Sequence, residues 1–317
     1  VTDLKAGKIR GLLTYNVNPL YSFTNSADFA EGLKKVSLSV ALSTENNETV
    51  DASNYVLPTS HFLESWGDTQ FNEVTYGLMQ PTIQPLFNTR QFQDTLLTWS
   101  GNSSKYYDYL KSFATDAILG EDSWNTALHN GFFNKENTSV AVSSEISIVD
   151  VAMQLSSSAK KSNGFELNLY TKINLGDGKQ ANNPWLQEFP DPITRASWDN
   201  YLTMSIVDAK ELGFTNPVKD NGAIDGDYAK VSLNGKEIIV PVMIQPGQAR
   251  GSVGLALGFG RTFGLKDEMQ VGVNAYPLYK NSNNIQFGVT IEKVAGTHKF
   301  ACTQVQKTIA GRHDILK

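Results

Sequence analysis

The first third of the chain alternates between short apolar runs and helical periodicity. Ile9 to Tyr15 (IRGLLTY) is apolar, and the turn residues Asn16-Val17-Asn18-Pro19 end it. Ser26 to Lys35 (SADFAEGLKK) opens with Ser at an N-cap position and carries acidic residues early and lysines late, which predicts a helix whose charges suit its dipole. Val36 to Leu42 (VSLSVAL) alternates like a strand, and Tyr55 to Pro58 is another short extended piece. Strand, helix and strand at this spacing predict a βαβ unit with a parallel sheet. Ligands of such sheets lie beyond the carboxyl ends of the strands, here Asn16 to Pro19 and Ser43 to Glu48.

From Arg90 to Phe133 the pattern is helical. Gln91 to Trp99 and Ser104 to Leu119 predict two helices, the second with Tyr107, Leu110, Phe113 and Ala117 on one core face. Asn134 to Asn163 is polar around the runs Val140 to Val142 and Ile146 to Val151, and predicts an edge hairpin or an insertion at a domain junction. The expected domains are therefore residues 1–163 and 164–317. Beyond Gly164 the pattern turns to β: Phe165 to Ile173 alternates, and Tyr228 to Val242 is two alternating runs joined by Asn234-Gly235, a strong hairpin signal. Gln270 to Ala275 and Ile285 to Val294 read as further strands, with one helix near Met204 to Leu212. Short strands with a single helix predict a closed barrel.

Composition narrows the possible chemistry. A chain of 317 residues exceeds the usual single-core size, which favours two domains. A net charge of −5 with 19% charged and 40% apolar residues describes an ordinary globular chain without the basic surplus that nucleic acid requires. No run approaches the ~18 apolar residues of a membrane span, and the start at Val1 without a signal-like segment suggests a piece of something longer. The single cysteine, Cys302, rules out an internal disulfide and an iron-sulfur cluster held by this chain alone, and reads as a buried structural residue. His61, His129, His298 and His313 are far apart and have no metal-ligand spacing. Gly251, Gly254, Gly258, Gly260 and Gly264 look like a phosphate cradle, but they lack the Lys-Ser/Thr of a P-loop, and close strand crossings are a sufficient reason for them. The flanking Arg250 and Arg261 suit an anion or an ion-pair partner equally. Glu64, Asp68 and Glu73 could be imagined as a catalytic acid set, but three carboxylates in a polar loop are more often solvated. The residues alone thus give no catalytic centre and no metal site.

Whole phrases carry a further signal. GKIRGLLTYNVNPLYS (Gly7 to Ser22) and ETVDASNYVLPTSHFLESWGD (Glu48 to Asp68) resemble the molybdopterin oxidoreductase superfamily. In the C-terminal half, NNPWLQEFPDPIT (Asn182 to Thr194), the Asp225-Gly226-Asp227 turn and VPVMIQPGQARGSVGLALGFGRT (Val240 to Thr262) resemble its last domain. YNVNPLYS, QPTIQPLFNTRQFQD and ANNPWLQEFPDP are similar to one branch, the molybdopterin-like half of the large iron-sulfur subunit of bacterial alternative complex III, a quinol:cytochrome c oxidoreductase. The resemblance implies an α/β Rossmann-like parallel-sheet segment followed by an all-β double-psi β-barrel of the formate dehydrogenase/DMSO reductase C-terminal type.

For function, the resemblance assigns Asn18, Pro19, Gln245, Gly247 and Arg250 to the regions that hold a pterin guanine dinucleotide in active relatives. Three departures weaken that site: Asn16 stands where a glycine is expected, Asn54 replaces an acidic residue, and Gly67-Asp68 replaces Gly-Thr. The implied chain holds no cofactor, a vestigial dinucleotide site, and no catalytic or metal residue of its own. Its partners would be an N-terminal part and a cluster-bearing ferredoxin-like domain of the same protein, together with other subunits of a membrane-associated respiratory complex on the periplasmic side of the bacterial inner membrane. Its role would be that of a scaffold for electron transfer from quinol to an acceptor. The alternative is the cofactor-binding portion of an active molybdopterin guanine dinucleotide oxidoreductase. An independent small-molecule binder with a decarboxylase-like barrel would need a catalytic centre that the residues do not supply. Trp185 is expected to cap the barrel, with an interface anchor as the other reading.

Overall fold

A computed structural model describes residues 1–120, 123–134, 147–158, 163–219, 223–280 and 283–303. The chain divides into two compact units, Val1–Val17 with Gly32–Val151, and Asn18–Glu31 with Ala152–Lys317. The sequence pattern draws one line between 163 and 164; the units part at Val151 and Ala152, and the second unit also takes the early stretch Asn18–Glu31.

The first unit begins with helix α1 (Thr2–Lys5) and strand β1 (Gly11–Tyr15). The chain then leaves through α2 (Pro19–Ser22) and α3 (Ser26–Leu33), and returns as β2 (Leu38–Ser43), α4 (Glu48–Asp51) and β3 (Tyr55–Pro58). These three strands form a parallel sheet in the order β1-β2-β3, with Leu13 opposite Val40 and Leu42 opposite Leu57. In β2 every residue after Leu38 is buried, as expected of a central parallel strand covered on both faces. A second, antiparallel sheet consists of β4 (Gly67–Gln70), β5 (Thr75–Met79) and, after the helices α5 (Phe92–Trp99), α6 (Tyr106–Ala117) and α7 (Trp124–Asn130), β6 (Phe132–Asn134).

Both predicted helices of this region form, but the core face of α6 differs from the expected one. Leu110 and Ala114 are buried and Ile118 follows them, whereas Phe113 is 46% exposed and Ala117 faces solvent. Steps of four after Leu110 track a 3.6-residue period onto Trp124, Ala127 and Phe133, and the steps of three used in the sequence pattern drift off it. Of the run Ile146 to Val151, expected in a hairpin or insertion, Ile148 to Val151 begin a helix, α8 (Ile148–Ser158), and Ile146 lies outside the described residues. Val140 to Val142 lie outside the described residues.

The second unit holds β7 (Phe165–Thr171), α9 (Pro184–Glu188), β8 (Ala196–Ser197), β9 (Leu202–Met204), α10 (Ile206–Leu212), β10 (Ile224–Leu233), β11 (Lys236–Ile244), β12 (Ser252–Leu257) and β13 (Ile285–Cys302). Their pairing runs β10-β11-β9-β12-β7-β13 and returns from β13 to β10, a closed ring of six strands. β11–β9 and β12–β7 are parallel and the other neighbours antiparallel, so the ring is mixed and leaves no free edge among its members. Alternation in β7 turns Leu167 and Leu169 inward, where they meet Leu202, Met204, Val231, Val242, Val253, Leu255 and Val289, all fully buried. Asn234 (φ 50°) and Gly235 (φ 76°) supply the two left-handed residues of the β10–β11 hairpin.

Gln270 to Ala275, expected as a strand, forms none. Gly272 is left-handed at φ 72°, and the fully buried Asn200 holds the stretch as a loop by accepting the Val273 amide (2.9 Å) and donating to the Val273 and Ala256 carbonyls (both 2.8 Å). Tyr21 explains why Asn18–Glu31 belongs to this unit. Its ring is buried in the barrel core, its Oη donates to the Phe259 carbonyl (2.8 Å), and Asn274 Nδ2 donates to its carbonyl (3.1 Å).

Candidate functional site

In the first unit the carboxyl ends of β1 and β2 are the place where a parallel sheet offers backbone donors to a ligand. Asn16 follows β1 with φ 49°, and its Oδ1 accepts the Thr44 amide beyond β2 (3.3 Å). The side chain that replaces a glycine thus takes one of those donors for itself. The N-terminus of α4 is closed in the same way, because Asn47 Oδ1 accepts both the Thr49 (3.1 Å) and Val50 (3.0 Å) amides. Asn54 accepts the amide and hydroxyl of Ser39 (both 2.9 Å) and fastens the start of β3 to β2. An acceptor without charge is enough for that task. Asp68, in the Gly67-Asp68 departure, lies on β4 and accepts the Tyr106 hydroxyl (2.7 Å).

In the second unit Gln245, Gly247 and Arg250 fall in one loop between β11 and β12. The Gln245 amide donates to the Met204 carbonyl (2.8 Å), and Gly247 turns the chain at φ 85° with open space around it. Arg250 is spoken for: its Nη2 donates to both carboxylate oxygens of Glu211 on α10 (2.6 and 2.9 Å), and its Nε lies 3.9 Å from Asp208. The next amide, Gly251, donates to Asp208 Oδ2 (2.9 Å), which also accepts the Ser205 hydroxyl (2.7 Å). The exposed Arg250–Glu211 pair is worth about 1 kcal/mol or less and could open. Asp208 is the decisive group, because its side chain is only 4% exposed and is built into the start of α10. A phosphate at this loop would meet two carboxylates against one guanidinium, so the residues do not fit an anionic dinucleotide. Asn18 and Pro19 begin the four-residue helix α2, where the Asn18 carbonyl accepts the Tyr21 and Ser22 amides (3.1 and 2.9 Å). They form a turn that delivers Tyr21 to the barrel.

The glycines of the cradle-like segment serve close packing. A Cβ on Gly258 (φ 93°) would stand 2.5 Å from the Gly176 carbonyl, and one on Gly254 2.7 Å from Thr203 Oγ1. Arg261 is buried and donates to the Gly178 carbonyl (3.0 Å). Among the acidic candidates, Glu64 accepts the Leu86 (3.0 Å) and His61 (2.9 Å) amides, which hold its carboxyl below the usual range and make it a loop clasp. His61 completes that cap, and His298 bridges Asp199 (2.7 Å) and the Tyr228 hydroxyl (3.1 Å). His313 lies outside the described residues. Cys302, expected buried, is half-buried at the end of β13. No group of three or more metal-ligating side chains occurs among the described residues.

Two features escaped the sequence pattern. Lys172, just after β7, is buried with its Nζ 3.6 Å from Asp191, 3.2 Å from the Asp199 carbonyl and 4.0 Å from the centre of the Tyr201 ring. Burial pulls its ammonium down to about 8, against the pull of Asp191 in the other direction. The alternation of β7 turns Leu167 and Leu169 inward and so puts Lys172 on the outward phase, which gave no hint of its burial. Trp185, expected to cap the barrel, is 81% exposed on α9. Ile173, Phe189 and Ile193 are exposed as well.

No family model matches the chain. It is 25% identical over 304 residues to the menaquinone reductase, molybdopterin-binding-like subunit of Nitratidesulfovibrio vulgaris strain Hildenborough, covering 93% of this chain and 42% of that protein. The chain therefore spans less than half the length of this curated relative. Its fold is similar to that of acetylene hydratase from Pelobacter acetylenicus, with a TM-score of 0.55 and 11% identity over 93% of this chain and 46% of that one. The chain is thus similar over nearly its whole length to a subunit named molybdopterin-binding-like, and in fold to acetylene hydratase.

Proposed function

We propose that the chain is part of a respiratory oxidoreductase subunit that keeps the molybdopterin-like fold, holds no pterin dinucleotide, and acts as a scaffold for electron transfer from quinol to an acceptor. The observation that carries this reading is the filling of the implied phosphate-binding loop by Asp208 and Glu211, which take the Gly251 amide and the Arg250 guanidinium. The relative described as a subunit of a menaquinone reductase supports partners in a multi-subunit complex. The quoted motifs favour the alternative complex III branch, a double-psi form of the six-stranded ring, and a periplasmic site beside the membrane. No helix among the described residues is long and apolar enough to cross a membrane, and the cluster-bearing domain would lie elsewhere in the same protein. The exposed Trp185 is a suitable interface anchor for such assembly.

Metal analysis and pterin fluorescence of the full-length protein test the reading. The expected result is neither molybdenum nor tungsten in stoichiometric amount and no releasable pterin. One metal and its pterin per chain would establish the cofactor-binding alternative instead.

A further inference from the structure

Beyond β2 and β3 the first unit has a cavity of about 570 Å³, lined by Leu42, Leu57 and Pro58 on the sheet side and by polar groups from the following loop and from α5. Its hydrogen-bonding capacity is lopsided. The two carboxylates in the lining are already engaged as acceptors: both oxygens of Glu64 take backbone amides, and Asp94 Oδ1 takes the Tyr106 amide (2.7 Å). Gln91 is 8% exposed and its Oε1 accepts the Trp66 amide (3.0 Å), which leaves its amide nitrogen as a donor. Thr59 is 3% exposed, and its hydroxyl has no hydrogen-bond partner among the described residues. Arg90 and Lys105 complete the lining with no ion pair to any described residue. The unspent donors are thus the Arg90 guanidinium, the Lys105 ammonium, the Gln91 amide nitrogen and the buried Thr59 hydroxyl, beside one free oxygen of Asp94 and the exposed Asn88 amide.

We propose that this cavity binds a small oxyanion, a carboxylate or a phosphate, with Arg90 and Lys105 as its charged donors and Thr59 and Gln91 as its neutral ones. Glu64 and Asp94 offset the two cations, so affinity rests on directed hydrogen bonds, and a dissociation constant of about 1 mM suits a ligand of this size. The site lies wholly within the first unit and does not depend on the scaffold role.

Titration calorimetry of the full-length protein with inorganic phosphate and, separately, with acetate tests the proposal. One saturable site is expected for at least one of them, and the tighter of the two identifies the phosphate or the carboxylate source. Arg90→Ala and Lys105→Ala are exposed substitutions that leave the circular dichroism spectrum unchanged, and each should weaken binding about tenfold, with Thr59→Val weakening it less. Lys179→Ala, at an exposed cation in the other unit, should leave binding unchanged. Binding that survives both Arg90→Ala and Lys105→Ala undiminished, or no saturable heat with either anion at about ten times the expected constant, would overturn it.

Discussion

At the scale of single residues, Lys172 makes the sharpest prediction. Its folded value of about 8 lies below its ordinary 10.5, so between these values the unfolded chain binds a proton that the folded chain does not. Stability from this group is therefore fully present above 10.5, falls as the pH drops, and is gone below about 8. Tyr201 works in the opposite direction: burial pushes its phenol above the ordinary 10.0, which costs stability once the unfolded chain ionises there. The window in which Lys172 acts alone is then pH 8 to 10. Across it, denaturant midpoints of the wild type should rise relative to Lys172→Met, by about 2 kcal/mol at most, since one pKa unit is about 1.4 kcal/mol. A flat difference would count against the burial of that ammonium. Asn16 offers a second test. Asn16→Gly relieves a left-handed side chain but gives up the Thr44 bond, so the two effects should nearly cancel, with a net change within about 1 kcal/mol by urea denaturation.

At the scale of elements, the barrel's glycines separate two costs that sequence inspection merges. Gly258 and Gly247 both sit at positive φ, 93° and 85°, but only Gly258 lacks room for a Cβ. Gly247→Ala should cost about 1 kcal/mol from the backbone alone, and Gly258→Ala more than about 2 kcal/mol because the Gly176 carbonyl must move. Equal midpoint shifts in chemical denaturation would contradict this difference. The elements most legible in the sequence were those with local signals: the Asn234-Gly235 hairpin, the alternation of β7, and the strand-helix-strand opening. Elements defined by distant partners were not legible. The loop at Gln270 to Ala275 has a strand-like pattern, and Asn200, far earlier in the chain, holds it as a loop together with the left-handed Gly272. The core face of α6 was displaced by one residue because a three-residue step and a four-residue step are equally apolar in YYDYLKSFATDA.

At the scale of the whole molecule, the five residues assigned by resemblance all fall in the second unit, three of them in one loop, but motif matching could not reveal that Asp208 and Glu211 occupy its donors. Those carboxylates come from α10, about forty residues earlier, and carry no motif of their own. Trp185 is a related case: an aromatic in a β domain reads first as packing, and its 81% exposure favours the interface anchor instead. If it anchors an interface, Trp185→Ser should leave the thermal midpoint of the isolated chain unchanged and weaken co-purification of the complex. A large loss of midpoint with assembly intact would reverse the assignment.

The bond from Tyr21 to Phe259 also sets a schedule for biosynthesis. Its two ends are 238 positions apart, and at about 5–20 residues per second the earlier end would leave the ribosome roughly 12 to 50 s before its partner exists. During that interval Asn18–Glu31 has no core to join, although the strands on either side of it can already pair with each other. Nascent chains stalled short of Phe259 should be cut by protease within Asn18–Glu31, and chains extended past Cys302 should resist.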